Sequence, residues 1–249
     1  MQGNVEDVFA SGAYWREYYA SLGHETREVG EFLAEVTREI SPGGGLKILD
    51  AGCGPTLLYW SVFAAGRNEL YGFDLSHANI ADTHRRIEAA RAGIVDGGLI
   101  EAARHALTLF GGTETAEERV ADKARQVVGV KVADLSKPWP YAAGKFDLVQ
   151  SCFAMEALAD WDAFHRALAE AHRVLRPGGA LVMATTAHGN GWTCDSQHIR
   201  TLFVTAEDLR WHLADAGFAL QAQRDIQSSD VSWRDQGYSR VLLSQAVKA

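Results

Sequence analysis

A glycine-containing loop carries the strongest chemical signal in this sequence. It follows an apolar run at residues 46–51, precedes a helical stretch at residues 57–65, and reads Asp50-Ala51-Gly52-Cys53-Gly54-Pro55-Thr56. Because glycine has no side chain, Gly52 and Gly54 let the backbone approach a ligand closely. The helix after the loop presents free N–H groups at its start. Ligands of open α/β sheets bind at such strand ends, so the loop predicts a small-molecule site.

The neighbouring residues restrict which ligand the loop can bind. A dinucleotide requires a third glycine in the pattern G-x-G-x-x-G, and Leu57 occupies that position. The P-loop pattern G-x-x-x-x-G-K-[ST] is not found in the sequence. The Asp50 carboxylate repels a phosphate group but suits an ammonium group. S-adenosylmethionine, a nucleoside with an ammonium group and no phosphate, satisfies these restrictions.

Two further acidic residues stand at the ends of predicted strands. Asp74 ends the second strand, where a carboxylate can accept hydrogen bonds from both ribose hydroxyls. Asp134 ends the third strand, where it can accept one from an adenine amino group. Each acid taken alone is as simply explained by a solvated loop or a helix cap. The three acids together with the glycine turn favour a site for S-adenosylmethionine.

The elements that position these residues alternate between strand and helix after an N-terminal helical region. This alternation predicts an α/β fold in which helices cover both faces of a parallel sheet. Predicted strands cover residues 46–51, 69–74, 130–135, 146–152, 180–185, 218–226 and 240–247, and predicted helices cover 14–20, 25–40, 57–65, 77–92, 161–175 and 205–216, with Thr205 as an N-cap.

One segment interrupts the alternation. Residues 98–128 carry two predicted helices separated at Gly111-Gly112, and they lie between the second and third strands. This is more chain than a connection needs, and one interpretation is a surface decoration. We predict a single domain over residues 1–249, with a helical lid at 1–42 and this helical insertion.

Composition and charge exclude several classes of function. The 249 residues carry a formal net charge of −8, which opposes binding to nucleic acid. The first residues show no signal peptide, and no apolar stretch is long enough to span a bilayer. Three widely spaced cysteines predict neither a disulfide framework nor a metal site. We therefore expect a cytoplasmic protein without a membrane partner.

At this point the sequence resembles class I methyltransferases and, more narrowly, the nicotinamide/phenylethanolamine N-methyltransferase family. The glycine loop is similar to that family's D-x-G-x-G-P-T, and Tyr14-Trp15-Arg16-Glu17-Tyr18-Tyr19 is similar to its Y-x-x-x-Y-Y. The helical insertion stands where the family has one. The resemblance runs from about Tyr14 to the last strand. It implies a doubly wound, Rossmann-like methyltransferase sheet, mostly parallel with an antiparallel last strand, and S-adenosylmethionine as cofactor.

The resemblance also implies roles for individual residues. Tyr14 and Tyr19 cover the site, with Tyr19 reaching the cofactor carboxylate and Tyr14 facing the acceptor. For the tyrosines, simple helix packing is the alternative. The positions that match the family's cofactor site comprise the two tyrosines, the loop residues Asp50, Gly52, Gly54 and Thr56, Asp74 for the ribose, Asn79 near the adenosine, Asp134 and Leu135 around the adenine, and Cys152 beside the methionine end.

The acceptor side departs from the family pattern. Leu58 stands where the family often has a tyrosine, with Tyr59 one residue later, and Thr185 stands where the family places an acidic residue. Candidate catalytic residues are Glu156, which could orient an amine, and His188, which could act as a base or hydrogen-bond partner. Trp192 and Thr185 are candidate acceptor-binding residues. The alternatives are a solvated acid for Glu156, a surface residue for His188 and a core anchor for Trp192.

The sequence therefore predicts an S-adenosylmethionine-dependent methyltransferase acting on a small molecule, with an amine nitrogen as the favoured acceptor. Because Thr185 replaces an acid, transfer to oxygen, carbon or sulfur stays open. A non-catalytic cofactor-binding module is a further alternative. A small-molecule site beneath a lid is compatible with a monomer or a weak homodimer.

Overall fold

Alternating strands and helices follow two N-terminal helices, as the sequence predicts. The computed structural model describes residues 11–228 and 237–249. Residues 1–10, which the predicted lid includes and on which the signal-peptide prediction rests, lie outside the described residues. The chain divides into two units, Met1–Leu46 with Gly54–Val132, and Lys47–Cys53 with Ala133–Ala249.

The first unit is mostly helical. In chain order it contains α1 (Ser11–Tyr18), α2 (His24–Ile40), the beginning of β1 (Gly44–Ala51), α3 (Leu57–Ser61), β2 (Arg67–Asp74), α4 (His77–Arg91), α5 (Gly97–Phe110), α6 (Ala116–Gln126) and β3 (Val127–Val132).

The second unit carries most of the strands. It contains the rest of β1, then β4 (Phe146–Cys152), a 3₁₀ turn at Met155–Ala157, α7 (Trp161–Val174), β5 (Leu175–Ala187), β6 (Gly191–Cys194), β7 (Gln197–Arg200), α8 (Ala206–Asp215), β8 (Phe218–Gln227) and β9 (Arg240–Lys248).

Seven strands form a sheet in the order β3-β2-β1-β4-β5-β9-β8. β1, β4 and β5 pair in parallel, as do β2 and β3. β9 runs antiparallel to both of its neighbours, β5 and β8. The chain's last strand is therefore the reversed one, and the predicted fold class is confirmed. β6 and β7 form a separate two-stranded hairpin that the sequence reasoning did not predict.

Local signals explain where several helices begin and end. Thr205 caps α8 through a capping box with Asp208, which confirms the predicted N-cap. A second capping box, made by Thr115 and Glu118, begins α6. Gly111, with a φ of 68°, ends α5 in the left-handed conformation that glycine adopts most easily. The predicted break between the two insertion helices is thereby confirmed.

Several predicted boundaries are wrong, including the following three. The third strand ends at Val132, so Asp134 and Leu135 lie in the following loop rather than at a strand end. The helix after the glycine loop ends at Ser61 instead of residue 65. The strand predicted at residues 180–185 begins at Leu175, so that residues 176–179 lie within β5, where they form an irregularity opposite the segment between Phe146 and Leu148. In each case long-range pairing or packing outweighed the local pattern.

Within residues 11–228 and 237–249, no helix combines the length and the apolar composition needed to cross a membrane.

Candidate functional site

In the first unit, the glycine loop is tied to the end of β2 by the Asp74 carboxylate. Asp74 Oδ2 accepts a hydrogen bond from Gly54 N at 2.9 Å. Its Oδ1 accepts from Ser76 N at 2.9 Å and from Asn79 Nδ2 at 3.1 Å. Burial raises the pKa of Asp74, while these three donors oppose the rise. Three predicted cofactor-binding residues, Gly54, Asp74 and Asn79, are thus brought together.

These residues keep acceptor capacity for a ligand. Asn79 is 7% exposed, and its Oδ1 is buried without a hydrogen-bond partner among the described residues. Asp74 Oδ2 accepts only the Gly54 bond among the hydrogen bonds described. Thr83 Oγ1 donates to Gly54 O at 2.9 Å and so fixes the loop from α4. Ribose hydroxyls could donate hydrogen bonds to these acceptor atoms, so these residues fit a nucleoside.

The predicted tyrosines of the N-terminal region also meet in the first unit. The hydroxyls of Tyr14 and Tyr19 lie 3.2 Å apart, and their ring centroids are 5.3 Å apart. Tyr14 is half-buried and Tyr19 is 2% exposed. We refer to these two residues as the tyrosine pair.

Tyr59 packs against Tyr19 of the tyrosine pair. Its ring meets that of Tyr19 edge to face, with centroids 4.9 Å apart, and Trp60 meets Tyr19 in the same way at 5.7 Å. Burial raises the pKa of Tyr59 to about 12, so its hydroxyl stays protonated. The sequence reasoning recorded Tyr59 only as a departure from the family pattern, although two adjacent aromatics at the start of a helix were a usable signal.

In the second unit, the glycine turn touches the loops that follow β3 and β4. Gly52 has a φ of 74°, and a Cβ there would lie 2.5 Å from Ala154 Cβ and 3.0 Å from Leu135 Cδ1. A side chain at this position is therefore excluded by both conformation and space. Asp134 Oδ1 accepts from the backbone N and the Oγ of Ser136, at 2.7 and 2.8 Å, which orients its carboxylate. The structure thus brings Gly52 and Leu135 together.

Asp50 and Cys152 lie on adjacent, buried strands of the second unit. Asp50 is 1% exposed and pairs with Gln150 in the β1–β4 register. Burial raises the pKa of the Cys152 thiol well above its ordinary value, and the charges of Asp50 and Glu156 add to the rise. A protonated, buried thiol is a poor nucleophile, so Cys152 is suited to contact a ligand rather than to attack one.

Glu156 is a buried acid of the second unit. It is 1% exposed, which contradicts the alternative of a solvated acid. Thr186 donates to its Oε1 from the backbone N at 2.8 Å and from Oγ1 at 3.0 Å. Its Oε2 has no hydrogen-bond partner among the described residues. Burial raises the pKa of Glu156 to about 7, despite the bonds from Thr186.

The other candidate acceptor residues have differing environments. Thr185 is fully buried within β5 rather than after it, and its Oγ1 lacks a hydrogen-bond partner among the described residues. His188 is exposed, with a φ of 55° and its ring 6.1 Å from that of Phe203. Trp192 is 5% exposed and lies on β6 opposite Ile199, which agrees with a core anchor.

Of two further threonines, Thr56 is a predicted cofactor-binding residue and Thr186 is not. Thr56 is buried at the N-terminal end of α3, and its carbonyl accepts from Trp60 N at 3.1 Å. Thr186, which orients Glu156, was missed by the sequence reasoning because the two residues are 30 positions apart. In the described parts of the chain, no group of three or more histidine, cysteine or acidic side chains is placed to hold a metal ion.

Comparison with known proteins gives consistent results. The model of the NNMT/PNMT/TEMT family matches residues 2–243. Indolethylamine N-methyltransferase of Mus musculus is 26% identical over 233 residues, which cover 87% of this chain and 87% of that protein. Phenylethanolamine N-methyltransferase of Homo sapiens is 24% identical over 194 residues, which cover 76% of this chain and 67% of that protein.

A solved structure supports the fold. The crystal structure of Burkholderia thailandensis 1,6-didemethyltoxoflavin-N1-methyltransferase, with bound 1,6-didemethyltoxoflavin and S-adenosylhomocysteine, superposes with a TM-score of 0.55. The two chains are 17% identical, and the match covers 91% of this chain and 79% of that one.

Proposed function

Because the chain belongs to the NNMT/PNMT/TEMT family, we propose that it transfers a methyl group from S-adenosylmethionine to an amine nitrogen of a small molecule. Relatives named as N-methyltransferases support this proposal. The observation that carries the choice of nitrogen is the buried carboxyl group of Glu156, whose Oε2 has no hydrogen-bond partner among the described residues.

The cofactor supplies a sulfonium methyl group that is already activated for attack by a nucleophile. The protein must bind it, orient the acceptor and exclude water. Asp74 and Asn79 hold the ribose through the acceptor atoms that the loop leaves available. Asp134 and Leu135 hold the adenine, and Tyr19 binds the cofactor carboxylate. The proposed cofactor-binding residues also include Asp50, Gly52, Gly54, Thr56 and Cys152.

Glu156 prepares the acceptor. An amine attacks only through its neutral lone pair, whereas an alkylammonium is protonated at neutral pH. With a pKa of about 7, the ionised carboxylate of Glu156 can take this proton on Oε2 while Thr186 keeps Oε1 in place. Burial, which produces the raised pKa, also keeps water from competing for the carboxylate.

A second candidate function keeps the cofactor and moves the methyl group to oxygen. It is favoured by Thr185, whose buried hydroxyl stands where an amine-binding acid would be expected. Tyr14, Trp192 and the exposed His188 are further candidates for acceptor contacts in either case. Incubating the enzyme with cofactor and a panel of amines, alcohols and thiols, followed by mass spectrometry, separates the two. Turnover confined to alcohols would contradict the nitrogen proposal.

Cofactor binding is tested with Asp74→Ala. We expect calorimetry to show S-adenosylmethionine binding to the unmodified protein, and about 5- to 150-fold weaker binding to the variant, because about one to three kcal/mol of ribose hydrogen bonding is lost. Asp162→Ala, which removes an exposed acid from the first turn of α7, is the control and should leave the affinity unchanged. Equal affinity in all three proteins would contradict the assignment of Asp74.

We further propose that the protein acts in the cytoplasm, as a monomer or weak homodimer, without nucleic acid or membrane partners. The acidic net charge of −8 and the wide spacing of the three cysteines support this setting.

A further inference from the structure

α1, which carries Tyr14 and ends one residue before Tyr19, is held to α4 by two contacts. Ser11 Oγ donates to Asp82 Oδ2 at 2.7 Å, and both residues are buried. The guanidinium carbon of Arg86 lies 3.4 Å from the ring centroid of Trp15, one residue after Tyr14. A cation stacked this closely on an indole is a favourable contact that fixes the rotation of the helix.

Arg86 is itself held from two sides. Its Nη1 donates to Asp96 Oδ2 at 2.5 Å and its Nη2 to Asp82 Oδ2 at 3.5 Å. Asp96 also caps α5, since its Oδ1 accepts from Leu99 N at 3.1 Å. The guanidinium therefore links α4, the beginning of the insertion and α1. Its planar shape allows it to stack on Trp15 and bond both carboxylates at once.

The insertion also touches the backbone of Tyr19 and of the residues just after it. A Cβ on Gly98 would lie 1.8 Å from Tyr19 O and 2.9 Å from Tyr19 C, so α5 runs directly against this backbone. Glu101 Oε2 accepts from Leu22 N at 2.8 Å. Gly98 has no positive φ, and close approach is thus the reason for glycine at this position.

Farther along, the insertion is anchored to α2. His105 Nε2 and Glu31 Oε1 lie 2.7 Å apart, and Arg38 Nη2 donates to Leu109 O at 2.6 Å. The helix that meets Tyr19 is thus fixed at its other end as well. A surface decoration does not need these contacts.

We propose that Gly98 and Arg86 are positioning residues for the tyrosine pair, and that the first insertion helix serves to set Tyr19 for the amino-acid end of the cofactor. This inference rests on the proposed function, in which Tyr19 binds the cofactor carboxylate. Gly98 sets the position of the Tyr19 backbone, and Arg86 sets the rotation of the helix through Trp15.

The test compares Gly98→Ala with Gly97→Ala. A Cβ on Gly97 meets nothing within 4 Å, so this neighbour is a matched control at the same helix start. Calorimetry is carried out with S-adenosylmethionine and with 5′-methylthioadenosine, which lacks the amino-acid end. We expect Gly98→Ala to weaken S-adenosylmethionine binding at least 10-fold and methylthioadenosine binding less than 3-fold. Gly97→Ala should change neither.

A second pair of variants keeps the test informative if Gly98→Ala fails to fold. Arg86→Met removes the stack on Trp15 and the link between two acids. Arg85→Met removes a neighbouring arginine whose side chain is 77% exposed and pairs with Asp82 Oδ1 at 2.9 Å, so it controls for the loss of a positive charge beside Asp82 while the stack on Trp15 is kept. We expect the same selective loss of S-adenosylmethionine affinity from Arg86→Met and none from Arg85→Met. Arg86→Lys should not restore affinity, because an ammonium cannot stack and bridge as a guanidinium does.

The outcomes separate this inference from the proposed function. If the unmodified protein fails to bind S-adenosylmethionine, both are overturned. If it binds but Gly98→Ala and Arg86→Met match their controls, only the positioning role is overturned. Equal losses for the two ligands would also overturn it, since they would indicate general damage to the site.

Discussion

The carboxyl group of Glu156 shows how burial at a single residue creates chemistry that its residue type does not imply. An exposed glutamate is ionised at neutral pH and is a weak base. Here burial raises the pKa to about 7, near the pH at which a general base is most effective. The two hydrogen bonds from Thr186 favour the ionised carboxylate and so limit the rise of the pKa.

Replacing this carboxyl group by an amide removes the base but keeps its shape. For Glu156→Gln we expect kcat with an amine acceptor to fall about 100-fold or more. Because the base works when ionised, the log of kcat in the unmodified enzyme should rise with pH to about 7 and then level off. The variant should lack this rise. Steady-state kinetics between pH 5.5 and 9, a range of about two units around the pKa, measures both effects.

Glu207→Gln is the control for this experiment, since Glu207 is an exposed acid in the first turn of α8. It should retain the pH profile of the unmodified enzyme. A rise with an inflection near pH 7 in Glu156→Gln would show that another group acts as the base.

The insertion helices show what secondary-structure elements contribute beyond the residues they carry. α5 meets the backbone of Tyr19, whereas α6 holds the segment that follows α3. Lys123 of α6 is 2% exposed and donates to Ala64 O at 2.9 Å and to Gly66 O at 2.6 Å. Arg119, one turn earlier, donates to Val62 O at 2.8 Å. Backbone carbonyls that α3 leaves unpaired when it ends at Ser61 are satisfied in this way.

Lys123 predicts an unusual pH dependence of stability. Burial lowers its pKa from 10.5 to about 7 in the folded protein, and the charge of Arg119 contributes. Between pH 7 and 10.5 the unfolded chain therefore binds more protons at this residue than the folded one. The free energy of unfolding should rise with pH in that window, by about 2 to 5 kcal/mol.

Urea denaturation of the unmodified protein and of Lys123→Met at pH 7 and pH 9.5 measures this contribution. The difference in unfolding free energy between the two proteins should grow with pH in favour of the unmodified one. Taking the difference cancels other groups that titrate in the same range, such as the Cys152 thiol. A difference independent of pH would contradict the lowered pKa.

At the scale of the whole molecule, charge decides which partners are accessible. A formal net charge of −8 repels the phosphates of nucleic acids over about a Debye length. Neutralisation of phosphates by basic residues supplies nearly all non-specific binding, and this chain has 24 basic against 32 acidic residues.

We therefore expect no binding to double-stranded DNA or to RNA at an ionic strength of about 0.15 M, the physiological value. Fluorescence anisotropy of labelled oligonucleotides, with protein added to micromolar concentration, checks this. Sedimentation velocity on the same samples reports the predicted monomer or weak homodimer. Binding that weakens steeply with salt would reveal a basic patch that the net charge conceals.

Local sequence information determined much of this protein. The glycine loop, Thr205 as a helix cap, Gly111 as a helix end and the alternation of strands and helices were all predicted, because each depends on residues a few positions apart. The resemblance to a family then implied the same cofactor and the antiparallel last strand. The end of β3, predicted three residues too late, shows the limit of such patterns.

Tertiary structure alone decided the properties that depend on distant residues. The pKa of the Glu156 carboxyl group is raised because the surrounding chain removes water, while Thr186 holds its Oε1 in place. Gly98 must be glycine because Tyr19, distant in sequence, passes against it. Periodicity reports which side of an element faces inward, but not which group lies opposite. Sequence therefore determined the fold and the glycine loop. The ionisation of Glu156 and the placement of the tyrosine pair follow instead from contacts that only folding creates.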